Sequence, residues 1–411
     1  MTKETIQGAK KGNHVHPSDI LALGRLAIDV AAGLTDLVEA MHQTIADGPG
    51  KSANAKVGRT GGITGMVYQG VRESARLLSS GVSVALTQLS PLLPGLDSSP
   101  EREGMLGILN GVVGDHLAAS ENPLAITMRF RRDGRALVLE KQALAAAMPQ
   151  ATGRVAVLVH GLCMNDLKWK RKEHDHGTAL ARDMGYTPVY LHYNSGLHTS
   201  TNGRAFADLL DNLVGQWPRS VEELVIIGHS MGGLVTRGAC HYGAIAGHDW
   251  LQRLRKIVFV GTPHHGAPLE RIGNWVGIIQ EATPYVAPFA RLGKVRSAGI
   301  TDLRHGNLID EDWEGLDRFK HAHDNRKPLP LPEGVECYAI ATTVGKAPGD
   351  IAGELIGDGL VPFDSALGRH KDTARTLPFP KSRQWLGYDI GHLEQLNHPE
   401  VYDQIRHWLS L

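Results

Sequence analysis

Six short apolar runs, each leading into small and polar residues, limit what this chain can fold into. They read RVAVLVHG, PVYLHY, ELVIIGHS, KIVFVGTPHHG, ECYAIATTV and RQWLGYDIGH, with segments of helical character between them. Near-continuous apolar strands alternating with helices predict a parallel sheet covered on both faces. In such sheets the chemistry gathers beyond the carboxyl ends of the strands. The clusters HGLCMN, GHSMGG, GTPHHG, GDGLVP and GHLEQLNH fall at those ends. Upstream, TMRFR and RALVLE flank Arg132-Asp133-Gly134, and Asp-Gly between alternating residues predicts a hairpin.

The third run enters Gly228-His229-Ser230-Met231-Gly232-Gly233. Glycine weakens strands and helices alike, so three at one junction need a reason. One reading is a tight strand-to-helix turn that happens to hold a serine. The other is a nucleophile elbow, in which Gly228 and Gly232 permit a strained turn that lifts the Ser230 hydroxyl out of the sheet.

Acyl transfer at Ser230 needs a base, an acid to orient it, and donors for the oxyanion. His392 follows the last strand and precedes the helical segment PEVYDQIRHWL, which makes it the expected base. His398 is its rival, although it abuts Pro399 at the helix start. Asp358, between two glycines in GDGLVP, is the expected acid and gives the order Ser, Asp, His; Asp-Gly is also an ordinary turn. Met231, directly after the serine, and Leu162, after the first strand of the run, are the expected oxyanion donors. His160 and His229 are expected to orient and pack the loops. His264 and His265 are expected to fix theirs.

Residues 1–121 differ in character from 122–411. Leu23, Leu26, Ala27, Val30, Leu34, Leu37, Val38 and Met41 recur at three- and four-residue steps, which predicts an amphipathic helix. The uncharged stretch from Leu77 to Leu96 approaches the length of a membrane span, but Ser79, Ser80, Gln88, Pro91 and Pro94 argue against one. Ser99-Pro100-Glu101 predicts a helix start, with a capping serine, proline in the first position and an acid in the first turn. An N-terminal helical module over 1–121 is therefore expected.

Lys+Arg 43 balances Asp+Glu 43, so no global field draws the chain to nucleic acid. Three widely spaced cysteines form neither a disulfide framework nor a zinc pattern. His174-Asp175-His176 lacks further ligands at ordered spacing, so no metal is expected. The N-terminus shows basic residues with no apolar run behind them, and a cytoplasmic protein, peripheral to membranes at most, is expected.

The stretches LVHGLCMND, IIGHSMGG, VGTPHHGAP, GDGLVP and GHLEQLNHPEVYDQI resemble the α/β-hydrolase superfamily, in particular bacterial triacylglycerol lipases and esterases. The resemblance covers roughly 150–411. It implies an α/β-hydrolase fold, with a mostly parallel sheet flanked by helices, and a helical cap at about 267–332. It also implies Ser230 as nucleophile, Asp358 as acid, His392 as base, and Leu162 and Met231 as oxyanion donors. Two departures stand out. Secreted members carry signal peptides and often a disulfide, neither visible here. Some place an aspartate two residues after the base as a calcium ligand, where this chain has Glu394.

The expectation is a serine carboxylic-ester hydrolase without cofactor, acting on an ester or lipid through an acyl-enzyme. An acyltransferase or thioesterase would use the same residues. A catalytically weak scaffold would keep the core and recruit partners through the helices. The N-terminal helices are expected to stabilise the core and to associate weakly with lipid surfaces. Neither the physiological substrate nor the oligomeric state is readable from the sequence.

Overall fold

Asp133 and Gly134 both take positive φ, 51° and 74°, and so close the expected hairpin between β1 (Arg129–Arg132) and β2 (Arg135–Ala136). A two-residue turn with two positive φ values matches the right-handed twist of its strands. The computed structural model describes residues 100–267, 297–315, 326–347, 350 and 356–411. The expected helices over 20–41 and 77–96 lie outside the described residues, as do 268–296 and 316–325 of the expected cap. Two compact units divide the chain: Met1–Arg102 with Ala119–Leu124, and Glu103–Ala118 with Ala125–Leu411. All the candidate site residues belong to the second.

Helix α1 (Pro100–Ala119) starts at the expected proline. After the hairpin come α2 (Lys141–Ala147), β3 (Arg154–Val159), α3 (His176–Met184), β4 (Thr187–His192), α4 (Thr199–Gln216), β5 (Glu223–His229), α5 (Met231–Ala246) and β6 (Leu254–Val260). Then follow α6 (Ala298–His305), β7 (Glu336–Thr343), α7 (Phe363–Ala366), β8 (Gln384–Tyr388) and α8 (Pro399–Ser410). The strands form an eight-stranded sheet in the order β2-β1-β4-β3-β5-β6-β7-β8. From β4 to β8 every pairing is parallel, and β1 runs antiparallel to both β2 and β4. This is an α/β-hydrolase fold: the serine follows β5, the aspartate follows β7 and the histidine follows β8.

Parallel strands are joined by crossovers that cover both faces, which is why β3, β5 and β6 can be apolar at nearly every position. Alternate residues face opposite sides. Ala156, Leu158, Val225, Ile227, Val258, Val260, Tyr338 and Ile340 share one core with Leu180 of α3 and Tyr402, Ile405 and Trp408 of α8. Trp408 is buried and stacks on Tyr338 at 4.8 Å between ring centroids. Truncating such a ring to alanine costs about 3–5 kcal/mol. The opposite face meets α5, where Gly233 faces the Phe259 ring. Helices α4 and α5 lie close because both are bare at the crossing: a Cβ on Gly203 would stand 2.9 Å from the Gly238 carbonyl carbon.

Glycines also seat α1 on the carboxyl ends of β3 and β4. Gly107 faces the Met164 carbonyl, Gly111 faces Cys163 and Gly114 faces Asn194. Gly107 and Gly111, four residues apart, share one helix face, and the helix kinks at Val113 before Gly114. Asn194 Nδ2 donates to Gly114 O at 2.9 Å, and Ser297 Oγ donates to Gly111 O at 2.6 Å. Among the described residues no helix is long and apolar enough to cross a membrane.

Candidate active site

Ser230 carries the chain from β5 into α5 with φ 55° and ψ −125°. A non-glycine residue held there costs of order 1–3 kcal/mol and persists only where its surroundings fix it. They do so here. Ser230 N donates to Val260 O at 2.9 Å across to β6, and Gly233 N donates to Ser230 O at 3.0 Å. Backbone crowds the turn from both sides. A Cβ on Gly228 would meet Gly233 Cα at 2.8 Å, and one on Gly232 would meet Val159 O at 2.2 Å. The glycine cluster thus has a steric reason. Ser230 is fully buried, and its hydroxyl has no hydrogen-bond partner among the described residues.

Asp358 and His392 meet. His392 Nδ1 lies 2.7 Å from Asp358 Oδ2, and His392 N donates to Asp358 O at 3.0 Å. The remaining oxygen of the carboxylate, Oδ1, accepts from Leu360 N at 3.0 Å and Val361 N at 2.8 Å. A carboxylate held by backbone donors stays in place, and as acceptor it makes Nδ1 the protonated ring nitrogen. His229, one residue before the serine, brings the two halves of the site together. Its Nε2 donates to His392 O at 3.1 Å, and the two imidazole centroids are 4.7 Å apart. His229 is thus both packed under the elbow and bonded to the loop that carries His392. Burial, reinforced by the neighbouring His392, holds its pKa well below the usual imidazole range.

His398 stands at the N-cap of α8, its N–H donating to Glu394 O at 2.9 Å. The imidazole on Asp358 is that of His392. Glu394 Oε2 accepts from Gly391 N at 2.9 Å and so helps close the turn that carries His392. Among the described residues no group of three or more His, Cys, Asp or Glu is placed to hold a metal ion.

Met231 is the first residue of α5, so helical geometry leaves its N–H without an intrahelical acceptor. Among the described residues neither this N–H nor that of Leu162 donates to another backbone carbonyl. The Leu162 loop is held on both sides. Cys163, at φ 59°, donates its N–H to Ser195 Oγ at 3.1 Å. His160 Nδ1 donates to Gly161 O at 2.9 Å, its ring stacks on Tyr193 at 4.3 Å, and Tyr193 Oη donates to His160 O at 2.8 Å. Burial lowers the His160 pKa to about 3, which keeps the ring neutral. His265 Nε2 donates to Gly368 O at 3.0 Å, so this histidine does fix its loop.

Sequence reading missed Gln395. It is fully buried, and its Nε2 donates to Asp358 Oδ2 at 2.9 Å and to Thr342 Oγ1 at 2.6 Å. Its backbone carbonyl accepts from His176 Nε2 at 2.9 Å, and His176 Nδ1 lies 2.8 Å from His174 Nε2. Burial lowers His176 to about 4, so a neutral ring donates to the carbonyl and accepts from His174. The His-Asp-His text therefore serves hydrogen bonding. Its aspartate caps α3 by accepting from Thr178 N at 2.7 Å. A glutamine three residues after a histidine carries no signal by itself; only the 3₁₀ turn at Glu394–Leu396 brings it back to Asp358.

No curated protein matches the chain. A family model described as "Domain of unknown function (DUF7379)" matches residues 130–303. Among solved structures, the chain is similar to the mature form of the lipase BlEst2 of Bacillus licheniformis. Identity is 16%, covering 63% of this chain and 92% of that one, at a TM-score of 0.40. It is similar to a thermophilic esterase from Thermogutta terrifontis at 17% identity, 63% and 90% coverage and a TM-score of 0.34. The Pyrococcus furiosus esterase PF2001 is similar at 13% identity, with 64% and 83% coverage and a TM-score of 0.36.

Proposed function

We propose that this chain is a serine carboxylic-ester hydrolase. Ser230 Oγ attacks the ester carbonyl carbon as its proton passes to His392 Nε2. The bond to the leaving alcohol breaks, and His392 returns the proton to that alcohol. Water, deprotonated by the same nitrogen, then attacks the acyl-serine, and His392 passes that proton to Ser230 Oγ as the acid leaves. Asp358 holds the imidazole tautomer and stabilises the imidazolium, and the N–H groups of Leu162 and Met231 hold the oxyanion.

The observation that carries this reading is the Asp358–His392 hydrogen bond at 2.7 Å, on a loop that His229 ties to the strained Ser230 turn. A turn kept at positive φ with an unpartnered buried hydroxyl suits a nucleophile better than a structural serine. The test is covalent labelling of the full chain by a fluorophosphonate, together with turnover of a nitrophenyl ester series of increasing acyl length. Labelling and turnover should both vanish in Ser230→Ala. Labelling that persists in that variant would refute the assignment.

A further inference from the structure

Arg237 lies two turns into α5, about 10 Å along the helix axis from Ser230. It is buried, and an arginine keeps its charge inside a protein. A buried charge is normally paired, because leaving it alone is expensive. Among the described residues no carboxylate pairs with this one. One terminal nitrogen donates to Leu329 O, the other lies 3.5 Å from His264 Nδ1, and Nε has no partner among the described residues. Burial, with Arg326 nearby, pushes its pKa down to about 10, the reverse of the rise that a carboxylate partner would cause.

The guanidinium faces a cavity of about 260 Å³. Among the described residues its lining also includes Arg326, Lys327 and Arg375, against the single carboxylate of Asp312. Asp312 is itself committed to backbone: it accepts from Leu308 N at 2.9 Å and Lys327 N at 3.0 Å. The acids that pair with Arg375 and Lys327, Asp372 and Glu311, are not in the lining. His264 and His265 complete the wall beside Arg237 as hydrogen-bonding rings. Burial lowers both imidazoles, so they add no charge at neutral pH.

We infer that this cavity binds a phosphate-class oxyanion, with the Arg237 guanidinium as its buried anchor and Arg326, Lys327 and Arg375 around its rim. The arginine fork matches the tetrahedral oxygens of phosphate, and charge-assisted hydrogen bonds of this kind are the strong ones. The volume admits an inorganic phosphate or the phosphoryl end of a larger molecule. The inference stands apart from the ester-hydrolase reading, since Ser230 takes no part in it.

Calorimetric titration of the full chain with inorganic phosphate, at ionic strength fixed with chloride, tests it. One saturable site is expected, and Arg375→Ala and Arg326→Ala should each weaken binding about tenfold, the loss of one charged contact. Arg237→Gln should abolish it; if that variant does not fold, the two rim variants decide. Ser230→Ala should bind as the parent does. Glycerol phosphate run in parallel identifies the source. Tighter binding than inorganic phosphate points to a lipid headgroup, and weaker binding to the free ion. No saturable binding, equal affinity in both rim variants, or loss in Ser230→Ala would each overturn the inference.

Discussion

His392 is bound to Asp358 twice, side chain to side chain at 2.7 Å and backbone N–H to backbone carbonyl at 3.0 Å. The backbone bond keeps the two loops together whatever the side chains do. Asp358→Asn should therefore fold normally, yet its amide offers His392 a donor in place of an acceptor and favours the wrong tautomer. Ester turnover should fall about 10⁴-fold, the loss seen where a triad aspartate is so replaced. Ser230→Ala and His392→Ala should be as damaging, with little added by combining them, because such residues act as a unit. Near-normal kcat/KM in His392→Ala, with loss in His398→Ala, would move the base.

Gln395 supports the same carboxylate from behind. Gln395→Ala removes the donor to Asp358 Oδ2 and opens a cavity beside Thr342, so kcat should fall by about one order of magnitude with KM little changed. Gln395→Glu should be worse, since it places a second carboxylate against Asp358. Steady-state kinetics on both variants give the ranking. Equal activities would mean that Gln395 has only a packing role.

How much of this was legible beforehand follows from the kind of contact involved. The hairpin at Asp133-Gly134, the strand runs and the elbow are written in local chemistry: positive-φ residues, β-branched runs and glycines under steric pressure. Asp358 and His392 could be placed at strand ends, although only the fold brings them to 2.7 Å. Gln395 and Arg237 left no local mark. Each acts through partners far along the chain, as His176 does on Gln395 across 219 residues.

Acid should unfold this protein earlier than its carboxylates alone would require. Burial holds His160 near 3 and His176 near 4, whereas an unfolded histidine titrates near 6.5. Below pH 6.5 the unfolded chain takes up protons that the folded chain refuses, so stability falls as pH falls. The loss continues down to about pH 4 for His176 and about pH 3 for His160. Each such histidine contributes up to about 1.4 kcal/mol per pH unit within its window. His229 and His264, buried and lowered, act in the same direction. Denaturant midpoints measured from pH 7 to pH 4.5 should drop steeply, and less steeply in His176→Gln. A flat series would contradict neutral burial of these rings.

The last expectation concerns the seat of α1 on the Leu162 loop. A Cβ on Gly111 would stand 2.3 Å from Cys163 Sγ and 2.8 Å from both Cys163 N and Cα. Backbone cannot swing aside as a side chain can, so Gly111→Ala must displace either the helix or the loop that presents Leu162. Misplacing an oxyanion donor removes stabilisation made mainly in the transition state; loss of one donor costs about 10²–10³ in kcat. Gly111→Ala should therefore lower kcat markedly while the chain still folds and KM changes little. Adding Cys163→Ala relieves the sulfur clash but not the backbone clash, so activity should return only in part. Full recovery in the double variant would show that the sulfur alone carries the contact. Unchanged activity in the single variant would show that α1 does not set the position of Leu162.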